Sequence, residues 1–265
     1  MKRILLLITL ILQFSFLHAG IVILNGLTHS YSVENGKVYK GKIAIENTSN
    51  TPQNVKLFLQ DFAYHADGTI NYTSLHTNKR SNGDWIKLNT NLITLKGKEK
   101  TEIFYEITVP NQTLAPGSYW SVIIVEPVDD IKPSENKAGV SITSVIRYAI
   151  QVITDYEAEK AKPELKFESV KVEKQDGRQT VKIAIANNGS LYCKPTASIE
   201  IYNSKTGEKL GTYSSLTMGL LPNTSKTFYI DISKVPVGKY RATIMTTDEE
   251  ENAFALNVEL EVKND

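Results

Sequence analysis

Residues that could do chemistry are sparse in this 265-residue chain. Beyond residue 20 the histidines are His29, His65 and His76, and the one cysteine is Cys193. Asp61, His65 and Asp67 form the tightest cluster of carboxylate and imidazole donors, a combination able to hold a divalent ion. Asp67-Gly68 is better read as a hairpin turn, and no second cluster completes a coordination shell. No histidine sits in a catalytic signature, and the sequence has no G-x-S-x-G, phosphate-cradling loop or H-E-x-x-H. A lone cysteine cannot close an intramolecular disulfide or build a zinc site from two or more cysteines. Cys193 reads as a small apolar residue at a strand edge. The expectation is a protein without enzymatic activity, metal or cofactor.

The first twenty residues stand apart from the rest. Lys2 and Arg3 precede an apolar run over residues 4–17, and the small residues Ala19 and Gly20 follow. This is the layout of a secretory signal, cut after Ala19 or Gly20. The run is shorter than the ~18–20 residues a spanning helix needs, so no stable membrane insertion is expected after cleavage. Losing Lys2 and Arg3 from the 30 basic residues leaves 28 against 29 acidic ones. That balance lacks the basic footprint of a nucleic-acid binder.

The elements that must position any site are strands. Apolar and polar residues alternate with period two over residues 42–46, 55–59 and 102–107. Asn35-Gly36, Asp67-Gly68, Asn82-Gly83, Pro116-Gly117 and Asp176-Gly177 punctuate them as turns. The chain also repeats itself: residues 42–47 read KIAIEN and residues 182–187 read KIAIAN. KTEIFYEITVP from Lys100 is matched by KTFYIDISKVP from Lys226, and Gly117-Ser118-Tyr119 by Gly238-Lys239-Tyr240. Two copies of one strand order account for this. The fold class is therefore all-β, with two immunoglobulin-like sandwiches in tandem. The expected boundaries are a signal at 1–20, a first domain at 21–154, a charged linker at 155–163 and a second domain at 164–265. The first copy is the longer, with an inserted hairpin and long loops between Asp61 and Asp84. Trp85 and Trp120 are expected in the core, and the Asn-x-Ser/Thr sites at Asn47, Asn71, Asn111, Asn188 and Asn223 to serve turns.

Residues 140–153 form the most informative stretch. Even positions are nearly all apolar, including Val140, Ile142, Ile146, Tyr148, Ile150 and Val152, while Arg147 lies on the mixed face. A strand this long exceeds the usual 3–10 residues. Its edge can recruit a partner strand, with main-chain hydrogen bonds for affinity and alternate side chains for specificity. Packing of the even face into the sandwich core is the competing reading. The guanidinium of Arg147 suits a partner's carboxylate, or a local Glu.

Two resemblances follow from these residues. Asp67-Gly68-Thr69-Ile70-Asn71-Tyr72, then Leu95 with Glu99-Lys100-Thr101, resemble the first domain of bacterial WxL-interacting cell-surface proteins. Leu221-Pro222-Asn223-Thr224-Ser225 with Val237-Gly238-Lys239-Tyr240 resemble that family's second domain. The first unit is also similar to PapD-type periplasmic pilus chaperones: residues 119–127 (YWSVIIVEP) resemble their penultimate strand. Those chaperones donate side chains from the last strand and grip a carboxylate with two basic residues. By this likeness Arg147 takes the second basic position, while residues 21–31 offer only His29 for the first.

The resemblances imply a periplasmic, secreted or cell-surface binding protein whose partner is a surface protein or pilus-like subunit. Peptidoglycan binding or a plain structural spacer is the alternative. Val140, Ile142, Ile146, Arg147 and Tyr148 are the expected partner-binding residues.

Overall fold

The computed structural model describes residues 20–128, 146–175, 177–248 and 253–263. Ten strands build the first sandwich: β1 (Ile21–Ile23), β2 (Thr28–Val33), β3 (Val38–Asn47), β4 (Gln53–Tyr64), β5 (Ile70–Thr73), β6 (Ile86–Leu88), β7 (Leu92–Leu95), β8 (Lys100–Thr108), β9 (Gly117–Val128) and β10 (Tyr148–Tyr156). Seven build the second: β11 (Leu165–Gln175), β12 (Arg178–Asn187), β13 (Thr196–Asn203), β14 (Lys209–Ser214), β15 (Thr224–Asp231), β16 (Gly238–Thr247) and β17 (Ala253–Val262). Among the described residues no helix is long and apolar enough to cross a membrane.

In the first sandwich one sheet runs β1-β3-β8-β6 and the other β2-β10-β9-β4-β5, with β7 also on β4. The chain enters through both sheets. β1 pairs antiparallel with β3, and after a four-residue crossing β2 pairs parallel with β10. Asn25 holds the crossing, donating to the Lys42 carbonyl and accepting from the Ala44 amide. The expected alternation sets the inner faces. Ile43 and Ile45 of β3 meet Ile103, Tyr105 and Ile107 of β8 in a core shared with Ile123, Val125, Ile150 and Val152. Each such side chain stabilises the fold by about 1.5–3 kcal/mol when fully buried. The inserted hairpin is β4–β5, paired from Asp61↔Thr73 to Tyr64↔Ile70.

The second sandwich has sheets β11-β12-β15 and β14-β13-β16-β17. Its core is continuous with the outer face of the first sandwich's larger sheet, where Phe62, Tyr64, Trp120, Val122, Ile124 and Ile153 join it. β9 is consequently buried on both faces, which explains why it is buried without a break from Gly117 to Val125 and runs apolar from Val122 to Val125. Trp120 is a core residue, but of this second cluster, with Nε1 donating to the Phe62 carbonyl at 2.7 Å.

Polar contacts fix the seam. Tyr64 Oη donates to the Gly219 carbonyl and accepts from the Leu221 amide, both at 3.0 Å. Ala66 is held at both its amide and its carbonyl, by Ser225 and Thr227. Ser118 donates its amide to the Ser190 carbonyl at 2.8 Å. The approach there requires glycine: Gly117 has φ +122°, and a Cβ would stand 2.2 Å from the Ser190 oxygen.

Candidate partner-binding edge

β10 is the strand on which the sequence places the site, and its bounds differ from the expected 140–153. The strand begins at Tyr148 and runs past Ile153 to Tyr156. Its ladder to β9 opens with Tyr148↔Val125. One further step would set Arg147 against Glu126 and Ile146 against Pro127, and proline has no N–H to give a ladder. Ile146 and Arg147 therefore precede the strand. Arg147 instead meets Glu126 through its side chain, Nη2 to Oε2 at 2.9 Å. The local ion pair is formed, and both partners keep solvent contact.

Besides Arg147, the expected residues fall into three situations. Val140 and Ile142 lie outside the described residues. Ile146 is 59% exposed, an isoleucine with little to cover it. Tyr148 turns inward beside Ile150 and Val152, and its hydroxyl donates to the Ile21 carbonyl at 2.8 Å. For the even positions from Tyr148 onward, then, the side chains pack in the sandwich.

The backbone of β10 is less committed than its side chains. β9 covers one edge over the full strand, from Tyr148 to Tyr156. β2 covers the other edge only from Gln151↔Thr28 onward, with the Gln151 amide donating to the Leu27 carbonyl. Tyr148, Ala149 and Ile150 have no strand on that side among the described residues. Exposed apolar side chains frame this opening: Ile146 before it, Val128 at the end of β9, and Leu24 and Leu27 in the β1–β2 crossing. An open edge among apolar groups is the arrangement that accepts an added strand.

Other residues singled out in the sequence have structural work. Asp61 is buried and accepts from Ser81 Oγ and the Asn78 amide, tying down the loop after β5. Asp67 Oδ1 accepts from the Thr69 amide at 2.8 Å, and that bond holds its carboxyl below the usual range. His65 is exposed in the same turn. Among the described residues no three His, Cys, Asp or Glu side chains are placed to hold a metal. Cys193 is buried, in an isolated bridge to Leu220. His29 does not display its ring at the surface beside Arg147: it points into the sandwich, Nδ1 2.7 Å from Tyr105 Oη, with Tyr31 Oη 2.8 Å from the same atom. Sequence reasoning missed that trio, in which Tyr105 is buried and His29 and Tyr31 are half-buried. The available signal was polar His29 and Tyr31 at alternate positions of a strand, with Gly41 in the interior of β3.

The fold is thus a pair of immunoglobulin-type sandwiches, the first with an entering strand shared between its sheets. Residues 137–265 match the family model described as WxL Interacting Protein, host binding domain, the family whose resemblance the sequence carries. No curated protein sequence matches the chain. Solved structures similar to it include a CFA/I fimbriae chaperone–tip adhesin complex, at 12% identity over 90% of this chain and 98% of that one, TM-score 0.47. Another is the CsuC–CsuE chaperone–tip subunit pre-assembly complex of Acinetobacter baumannii, at 18% identity, 90% and 98% coverage and TM-score 0.45. The class 5 fimbriae chaperone CfaA is similar at 12% identity, again 90% and 98%, TM-score 0.46.

Proposed function

We propose that the chain is an exported, non-catalytic binding protein of the bacterial envelope that holds a surface or secreted protein along the open edge of β10. One observation carries this reading: among the described residues β10 is paired on both edges from Gln151 on, yet on one edge only at Tyr148, Ala149 and Ile150. A partner strand laid there continues the line of β2. It gains backbone hydrogen bonds and covers Ile146, Leu24 and Leu27. Arg147 sits at the mouth of this edge, where a partner carboxylate can compete with Glu126 for its fork. The family match over β10 and the second sandwich, to a model described as a host binding domain, supports a protein partner.

A structural spacer or a cell-wall scaffold is the second reading, favoured by the hydrogen-bonded seam between the sandwiches. Residues 21–265 immobilised and challenged with an envelope extract of the host distinguish the two. Capture of one secreted or surface protein, lost in Ile146→Asp and weakened in Arg147→Ala, supports edge binding. Capture of wall fragments alone, unchanged by both substitutions, establishes the scaffold.

A further inference from the structure

β2 closes the edge of β10 with little apolar material. Its sequence, THSYSV, turns Thr28, Ser30 and Ser32 to solvent and His29, Tyr31 and Val33 inward. Only Val33 is aliphatic, so burial contributes less here than in β3 or β8. The strand relies on its ladder to β10 and on the trio His29–Tyr105–Tyr31. Tyr105 is the fixed member. It is buried on β8, and its ring occupies space left by Gly41, where a Cβ would stand 2.2 Å from it.

The trio suits a neutral imidazole. One ring nitrogen, Nδ1, shares a hydrogen bond with the Tyr105 hydroxyl, and the other, Nε2, is buried with no partner. An imidazolium carries N–H groups on both nitrogens, so protonation would bury a charge whose Nε2–H makes no hydrogen bond in this arrangement, with only the nearby Asn25 and Gly26 carbonyls to turn to. Among the described residues the surroundings supply no counter-charge. Tyr31 and Tyr105 are the titratable groups in contact. From β3, Gly41 faces the trio, while Lys40 and Lys42 on either side pair with Glu106 and Glu102 on the outer face. From β10, the stretch opposite His29 is Gln151, Val152 and Ile153, all uncharged. The carbonyls of Asn25 and Gly26 favour the charged form, but burial outweighs them and holds His29 below its usual 6.5.

We propose that β2 is an acid-releasable strap: protonation of His29 frees β2 from β10 and extends the open edge from Tyr148–Ile150 along the rest of the strand. The occupant of the extended edge is an extended segment of the same protein partner, gripped over a longer ladder in acid. That consequence rests on the edge-binding function proposed above; the release of β2 does not.

The sign follows from proton linkage. The unfolded or released histidine binds its proton near 6.5 and the strapped one at lower pH, so acid favours release. The strap is intact above 6.5 and weakens as pH falls through the interval below it, by up to about tenfold per pH unit.

Backbone hydrogen exchange on the protein alone reads this directly, without any partner. After correction for intrinsic rates, amides of Thr28–Val33 and Gln151–Tyr156 should lose protection between about pH 7.5 and pH 5.5. Those of β12 and β16 should not. In His29→Gln, and in His29→Leu should the amide variant be poorly folded, the acid-induced change should vanish. A wild-type pH profile retained in both variants, or protection of β2 that is flat with pH, overturns the strap. Partner capture at both pH values then separates the two ideas. Capture that is pH-independent while β2 still opens in acid rejects the edge as the binding surface and leaves the strap standing.

Discussion

Tyr119 and Tyr240 make the same bond in the two sandwiches: each phenol donates to the carbonyl four residues upstream, Ala115 at 2.9 Å and Pro236 at 2.7 Å. The motif is the tyrosine corner of immunoglobulin-like folds, at the start of the strand that crosses the sheet centre. It gives the repeated Gly-x-Tyr a physical cause, since the chain must turn tightly into β9 and β16 before the ring folds back on the turn. Loss of either hydroxyl should cost about 1 kcal/mol in Tyr119→Phe and Tyr240→Phe. The sites lie in separate sandwiches, so the two losses should add in the double variant. Urea unfolding measures all three; a double variant as stable as wild type would rule the corner out as a stabilising element.

The repeat was legible because both copies solve the same local problem. Asn47 and Asn187 close KIAIEN and KIAIAN, and both are fully buried. Each sends its amide nitrogen to carbonyls of a neighbouring loop and accepts a backbone amide on its oxygen. What the sequence hid is non-local. Nothing in residues 21–33 announces that β1 and β2 belong to opposite sheets, because each half reads as an ordinary short strand. The double burial of β9 is visible as an apolar run, but its second cover comes from residues of the other sandwich. The start of β10 is set by Pro127 on the opposite strand rather than by the alternation around Ile146.

Asn187 offers a sharper test of the shared design. Its Nδ2 donates to the Leu191 and Leu220 carbonyls, at 2.8 and 3.3 Å, and its Oδ1 accepts from the Gly189 and Glu164 amides. Asn187→Ala should destabilise the protein by roughly 2–4 kcal/mol, as buried groups on both sides lose partners at once. Asn187→Asp, nearly isosteric but without the donor, should also fail to restore stability. A loss under about 0.5 kcal/mol in the alanine variant would show that water or neighbouring groups replace the asparagine.

Arg147 is predicted to matter for binding and not for folding. Its pair with Glu126 is exposed on both sides, a setting in which ion pairs contribute about 0–1 kcal/mol. Arg147→Ala and Glu126→Gln should each leave the melting temperature nearly unchanged. Partner capture should respond in opposite directions: Arg147→Ala weakens it, and Glu126→Gln, which frees the fork, strengthens it. Equal effects of the two substitutions on capture would remove Arg147 from the binding surface.

The seam between the sandwiches should show a distinct alkaline signature. Burial pushes the Tyr64 phenol up from 10 to about 12, despite the bond from the Leu221 amide. Lys226 lies over the same ring, 4.3 Å from its centroid, and burial lowers its ammonium below the usual 10.5. The two act oppositely. The unfolded tyrosine ionises near 10 and the folded one near 12, so Tyr64 supplies stability below pH 10 that is lost as pH rises toward 12. Lys226 contributes in the other sense, because its neutral form is favoured in the folded state. Removing the phenol alone isolates the first effect. At neutral pH Tyr64→Phe should be less stable than wild type, as the Leu221 amide loses its acceptor. The gap should then narrow by about 2–3 kcal/mol as pH is raised across the interval from 10 to 12. Tyr105, also raised by burial, and Lys226 are common to both proteins and cancel in the comparison. Paired urea titrations of wild type and variant across that interval measure the gap. If it stays constant, the Tyr64 hydroxyl is not sealed in the seam and the two sandwiches are not locked through it.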